Sequence, residues 1–209
     1  RTDFQKYNTS CKTLENFLIH PQGAATRRVG TQFIAEVKSS AAKTRLIPFE
    51  FSTTQTYIME FGNNYIRFYK DKGQILSGGS AYEIASPYAT SELFDIKFAQ
   101  SADVMYLCHP NHDVRKLSRS GHTSWTLATV SFTGSPSPAI SGADNRPSCV
   151  SFFEQRLVFA NTNNNPQTLF FSKSGDYENM TTGTNADDAM IYTIASNQVN
   201  AIRFLKAQR

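Results

Sequence analysis

Residues 47–73 read IPFEFSTTQTYIMEFGNNYIRFYKDKG. A short apolar run, Ile47 to Phe51, leads into a polar turn and then into TYIMEF, a run of β-forming residues. GNN reverses the chain, and the return run alternates apolar with polar residues before closing on Lys72 and Gly73. The same grammar recurs in IKFAQSADVMYLCHPNHDVRKLSRSG (96–121) and in VSFFEQRLVFANTNNNPQTLFFSKSG (150–175). The closing glycines, Gly73, Gly121 and Gly175, are 48 and 54 residues apart. After each there is room for one further strand: QILSGGSAYEI (74–84), HTSWTLATV (122–130) and DYENMTTG (176–183).

Four short antiparallel strands per repeat at about 40–50 residues is the period of a propeller blade. The expected fold is therefore all-β: about three propeller-like, four-stranded blades forming an incomplete ring. The repeats cover roughly 44–93, 94–146 and 147–197. QVNAIRFLKAQR (198–209) occupies the slot of a fourth leading strand, so the ring is expected to continue beyond Arg209. The first residue is Arg rather than Met, which reads as a chain that lacks its original start or has been processed.

Residues 1–43 differ in texture. Tyr7, Cys11, Leu14 and Leu18 recur at helical spacing, which predicts one short N-terminal helix ended by Pro21 and Gly23. Arg27 and Arg28 follow in a glycine-bracketed turn, and TQFIAEV (31–37) reads as a strand. The arginine pair suits either a solvated turn or a forked contact with a carboxylate or phosphate.

Composition narrows the function classes. Lys and Arg number 21 against 17 Asp and Glu, a net charge of +4, without the dense basic stripe of a DNA-coating protein. Cys11, Cys108 and Cys149 are odd in number and widely spaced, which reads as reduced thiols in a protein that folds in cytoplasm. No apolar run approaches the roughly 20 residues of a membrane-spanning helix.

Three groups have side chains suited to chemistry. Cys108, His109, His112 and His122 fall together in CHPNHDVRKLSRSGH, but their spacing matches no common zinc finger and Pro110-Asn111 signals a tight turn. They read as turn-tip histidines, and no metal or cofactor is assigned. Asp187-Asp188 reads as a solvated loop pair preceding a strand, without the pattern of a calcium loop. Glu92, Asp95 and Glu154 are candidates for acid and base on a glycan, with nothing to bring any two together. The sequence carries no G-x-S-x-G, H-E-x-x-H, P-loop or dinucleotide motif, so no enzyme is proposed. Trp125 and the tyrosines read as core between sheets.

RTDFQKYNTSCKTLENFLIHPQGAATRRVGTQFIAEV (1–37), with its GxxxRRxGTxF turn, resembles the N-terminal signature of phage and prophage tail proteins. RLIPFEFSTTQTYIMEFGNNYIRFYKD (45–71) and the stretch from Phe152 to Ser196 are similar to the short-tailed phage tail nozzle, the tail tubular protein B family. Residues 77–145 match more loosely, and Ala24 and Val29 stand where that turn is expected to hold Gly and Pro. The resemblance implies a structural virion protein, made in the bacterial cytoplasm. Typically six copies form a ring that carries DNA, between a tail adaptor and a fibre or spike.

The expected contacts with transiting DNA or partner proteins are Arg27, Arg28, Lys70, Lys72, Arg115, Lys116, Arg119 and Lys173. Most recur near the ends of return strands. Two alternatives stand beside this reading: a tail module that binds or degrades cell-surface polysaccharide, and a nucleic-acid-binding β-domain.

Overall fold

The computed structural model describes residues 3, 5–198 and 200–207, and it divides into two compact units, 1–34 and 35–209. The larger unit therefore opens at Ala35, ahead of the boundary at residue 44 read from the sequence.

In the smaller unit the expected N-terminal helix does not form. A 3₁₀ turn over Gln5–Thr9 is followed by a hairpin of β1 (Phe17–Ile19) and β2 (Ala25–Arg27). The hydroxyls of Thr9 and Ser10 donate back to the carbonyls of Lys6 and Tyr7, which competes with helical continuation. Asn16 then adopts a left-handed φ of 62° that turns the chain into the hairpin. The helical-looking stripe is not buried: Tyr7, Leu14 and Leu18 are all exposed. The expected strand at 31–37 is also absent, because no neighbouring strand offers it a ladder.

The larger unit is all-β and antiparallel. Its first sheet runs in the order β3 (Arg45–Glu50), β4 (Thr56–Gly62), β5 (Tyr65–Lys70) and β6 (Gly73–Gln74). A small hairpin, β7 (Leu76–Ser77) with β8 (Ser80–Ala81), intervenes. Then β9 (Glu83–Ala85) returns to pair with β5. The second sheet is the meander β10 (Lys97–Ser101), β11 (Val104–His109), β12 (His112–Gly121) and β13 (Ser124–Thr129). The third is β14 (Cys149–Phe153), β15 (Arg156–Ala160), β16 (Thr168–Phe171) and β17 (Met190–Thr193).

The last strand of the third sheet corrects the sequence reading. DYENMTTG (176–183) does not form it; apart from isolated bridges those residues are turn and irregular chain, and MIYT (190–193) takes the slot. Met190, Ile191 and Tyr192 suit a pleated ladder, whereas Asn179 and Gly183 do not. The expected fourth leading strand is not formed among the described residues 198 and 200–207; Val199, Gln208 and Arg209 lie outside them. Residues 202–205 nevertheless run close to the third sheet: Ile202 N–H donates to Pro166 O, and its carbonyl accepts from Cys149 Sγ.

The three sheets stack through their apolar faces. Side chains alternate across each strand, so one face of the first sheet gathers Ile47, Phe49, Tyr57, Met59, Phe61, Ile66 and Phe68. This face packs on Met105, Leu107, Leu117 and Trp125 of the second sheet. The opposite face of the second sheet, with Tyr106 and Cys108, packs on Val150, Leu157, Phe159 and Phe170 of the third. Fully burying one such side chain contributes roughly 1.5–3 kcal/mol, so these two interfaces hold the unit together.

The outer face of the first sheet is polar by design of its hydrogen bonds. Buried Glu60 accepts the hydroxyl of Tyr65 at 2.5 Å and also that of Tyr69. Gly62 leaves room for this: a Cβ there would lie 2.2 Å from the Tyr65 ring.

Nearby, Glu83 accepts Lys38 at 2.6 Å and Arg67 at 3.0 Å. The Lys38 hydrogen bond chiefly, then Arg67, outweighs burial and holds the Glu83 carboxyl below the usual carboxylate range. A depressed folded-state pKa gives stability that is present above the unfolded value, roughly pH 4.3, and is lost as pH falls below it. Glu83→Gln should therefore cost up to about 1 kcal/mol at pH 7, the exposed third of Glu83 keeping the figure small. In urea melts the difference from wild type should vanish toward pH 3; a difference that persists there defeats the assignment.

Candidate functional site

The segment that links the first sheet to the second, residues 86–96, is built on turns rather than on a strand or helix. Glu92 N–H donates to Ala89 O, and Asp95 N–H to Glu92 O, so the link folds back on itself. One carboxylate oxygen of Glu92, Oε2, accepts the Ala89 N–H at 3.0 Å, which fixes the side chain.

The facing element is the tight β11–β12 turn, Pro110-Asn111. A two-residue turn makes its flanking residues direct cross-strand partners, so His109 and His112 sit opposite one another with ring centroids 5.2 Å apart. Glu92 and the two histidines thus meet across 17 to 20 residues of chain. Each offers one ligand-type atom, and those atoms all lie within 4.8 Å of one another.

Oε2 of Glu92 stands 2.8 Å from Nε2 of His112, and Oε1 accepts Asn111 Nδ2 at 3.2 Å. Burial pushes the Glu92 carboxyl up, but the contacts with His112, Ala89 N–H and Asn111 together outweigh it and hold the group at about 2. Burial lowers the His109 pKa, so that ring is neutral at pH 7. Its Nδ1 accepts the Asn111 N–H at 3.1 Å, and its Nε2 is buried without a hydrogen-bond partner among the described residues. Leaving such a group unsatisfied costs about 1–3 kcal/mol. Tyr88, fully buried, packs its ring on both histidines, and its hydroxyl also lacks a partner there.

The cysteine–histidine grouping read from the sequence is broken up. Cys108 lies on the opposite face of its strand from its neighbour Leu107, in the core against the third sheet. His122 is claimed by Tyr57, whose hydroxyl is 2.7 Å from Nδ1. Glu92, considered from sequence only as an acid for a glycan, takes their place. Asp95 is exposed on the same link, and Glu154 sits in the β14–β15 turn with a φ of 44°. Asp187 and Asp188 both engage Lys173, at 3.2 and 3.6 Å.

The eight basic candidates are divided between the two units. Arg27 and Arg28 belong to the smaller unit, where Arg28 Nε donates to Asn16 Oδ1 at 2.7 Å. Lys70 pairs with Asp71 at 2.8 Å, and Lys72 is exposed in the same turn. Arg115 and Lys116 are adjacent on β12 and so point to opposite faces. Arg115 Nε is buried without a partner among the described residues, whereas Lys116 reaches Glu178 at 2.5 Å. Arg119 pairs with Asp103 at 3.0 Å and lies 3.9 Å over the Phe51 ring.

No family model matches the chain, and no curated protein matches it. Among the described residues no helix is long and apolar enough to cross a membrane.

Proposed function

We propose that the chain is a structural, non-catalytic wall component of a phage tail, of the nozzle type its sequence resembles, with the three sheets serving as propeller-like blades. In this reading its copies, six in the assembled tail, close into a virion ring that contacts an adaptor and a fibre or spike. DNA moves through the ring weakly bound.

One observation carries the reading. The outward face of the third sheet is apolar in the manner of the buried faces within the stack. Phe153, Met190 and Tyr192 stand exposed on it, beside half-buried Leu169 and Phe171. Residues 205–207 cross only part of it, leaving a groove of about 240 Å³. A sheet face of this composition favours a further packed layer over water. Blade-on-blade stacking supplies such a layer.

The basic residues support weak rather than tight contact with DNA. Lys70, Lys116, Arg119 and Lys173 are each engaged by a carboxylate of this chain, which reduces the counterion release that drives phosphate binding.

Negative-stain imaging of the full-length protein at high concentration should reveal closed rings, and duplex DNA should bind with a shallow salt dependence. Particles seen only as isolated monomers, or steep salt-dependent DNA affinity, would overturn the reading.

A further inference from the structure

We propose that Glu92, His109 and His112 form a binding site for a divalent transition-metal ion of the zinc type. The ion would clip the 86–96 link to the β11–β12 turn. Two imidazoles and a carboxylate are a donor set for zinc, cobalt or nickel; calcium and magnesium favour oxygen ligands throughout.

The geometry fits. Metal–ligand bonds of 2.0–2.2 Å in a tetrahedral arrangement separate ligand atoms by roughly 3.3 Å. Here His112 Nε2 and Glu92 Oε2 are 2.8 Å apart, and all three ligand atoms lie within 4.8 Å of one another. The independent sign of a ligand is His109. The residue is 2% exposed, and its Nε2 finds no hydrogen-bond partner among the described residues. Most buried polar atoms find a partner, so this one is open to a ligand.

The proton balance is simple. The ion takes the place of the proton held between His112 Nε2 and Glu92 Oε2, and that proton leaves to solvent or passes to His112 Nδ1. At His109 the ring proton moves from Nε2 to Nδ1. This releases the Asn111 N–H, which sits on an exposed turn residue that water can reach. Asn111 Nδ2 and the Ala89 N–H stay on the carboxylate and orient it, as outer partners of metal ligands do.

The test uses the full chain with zinc chloride by calorimetry and cobalt chloride by visible absorption. One ion per chain is expected, with tetrahedral cobalt bands, a raised melting temperature in zinc, and none in magnesium. Glu92→Gln and His112→Asn, both at half-buried positions, should each weaken binding by roughly tenfold or more while the circular dichroism spectrum stays that of wild type. His20→Ala, in the smaller unit, should change nothing. The proposal is overturned by no stoichiometric binding or by wild-type affinity in both site variants. A sulfur-to-cobalt charge-transfer band, which would put the ion on a cysteine, or an equal response to magnesium, also overturns it.

Discussion

Replacing Arg156 by Ala should lower the unfolding free energy by about 3–5 kcal/mol, among the largest single-residue effects in this chain. Arg156 opens β15 and is buried at 6% exposure. Its Nη1 donates to Ser172 O and Asp188 O, each at 2.7 Å, and its Nη2 donates to Ala186 O at 2.6 Å. These acceptors lie on the connection from β16 to β17, which has little regular structure of its own. The guanidinium fork therefore does for that connection what a ladder does for a strand. Truncation leaves three carbonyls without their donor, each buried loss costing about 1–3 kcal/mol before relaxation. Arg156→Lys keeps the charge but not the planar fork, and should recover less than half of the loss. Urea unfolding measures the total, and hydrogen exchange should localise the damage to β16 and β17. A change below about 1 kcal/mol, or uniform loss of protection through all three sheets, would sink this account.

Arg156 also marks where sequence reading runs out. The strands of the first two sheets were legible because TYIMEF, DVMYL and YIRFYK alternate or cluster their apolar residues, and a sheet needs little else. The turns between them were placed by their polar residues, yet their conformations were not readable. Asp71, Lys72, Glu154 and Gln155 all adopt positive φ where Gly or Asn would have announced it. In the third sheet RLVFA gave no hint that its arginine is buried, because the acceptors are carbonyls some 16 to 32 residues away. The helix expected near the N-terminus failed for a local reason: Thr9 and Ser10 bond their own backbone.

The candidate site was half legible for the same reason. His109 and His112 stood out as a pair flanking a turn, and period-2 alternation alone would have set His109 apart from Cys108. Glu92 could be joined to them only by knowing how the link folds back over the β11–β12 turn. That placement is a property of the stack, not of any sequence window. The same limit applies to the basic residues. Recurrence near return-strand ends suggested shared contacts, whereas Lys116 and Lys173 are drawn to Glu178 and Asp187, which lie on the irregular connection from β16 to β17.

Trp125 is where the other large effect is expected. It stacks on Phe68 with centroids 4.4 Å apart and meets Phe49 and Tyr57 edge-on at 4.9 and 5.2 Å. Its indole N–H donates to His122 O at 3.1 Å, and its backbone N–H to the Tyr82 hydroxyl, also at 3.1 Å. One side chain of β13 thus touches three strands of the first sheet, and Trp125→Ala should cost about 3–5 kcal/mol by opening a cavity that rigid β-strands cannot close. Trp125→Phe keeps a ring against Phe68 but loses the indole donor, and should cost roughly half as much. As the chain holds a single tryptophan, its fluorescence reports this interface alone, and the wild-type emission should be blue-shifted and resist quenching. Circular dichroism follows the variants. Trp125→Ala and Arg156→Ala act in different sheets with no shared partner, so their costs should add to within about 0.5 kcal/mol if the stack unfolds as one two-state unit. A double variant whose loss falls well short of the sum would mean that the first and third sheets melt separately. Sheets able to melt separately would make a poor stiff wall, so this measurement also bears on the proposed role of the stack.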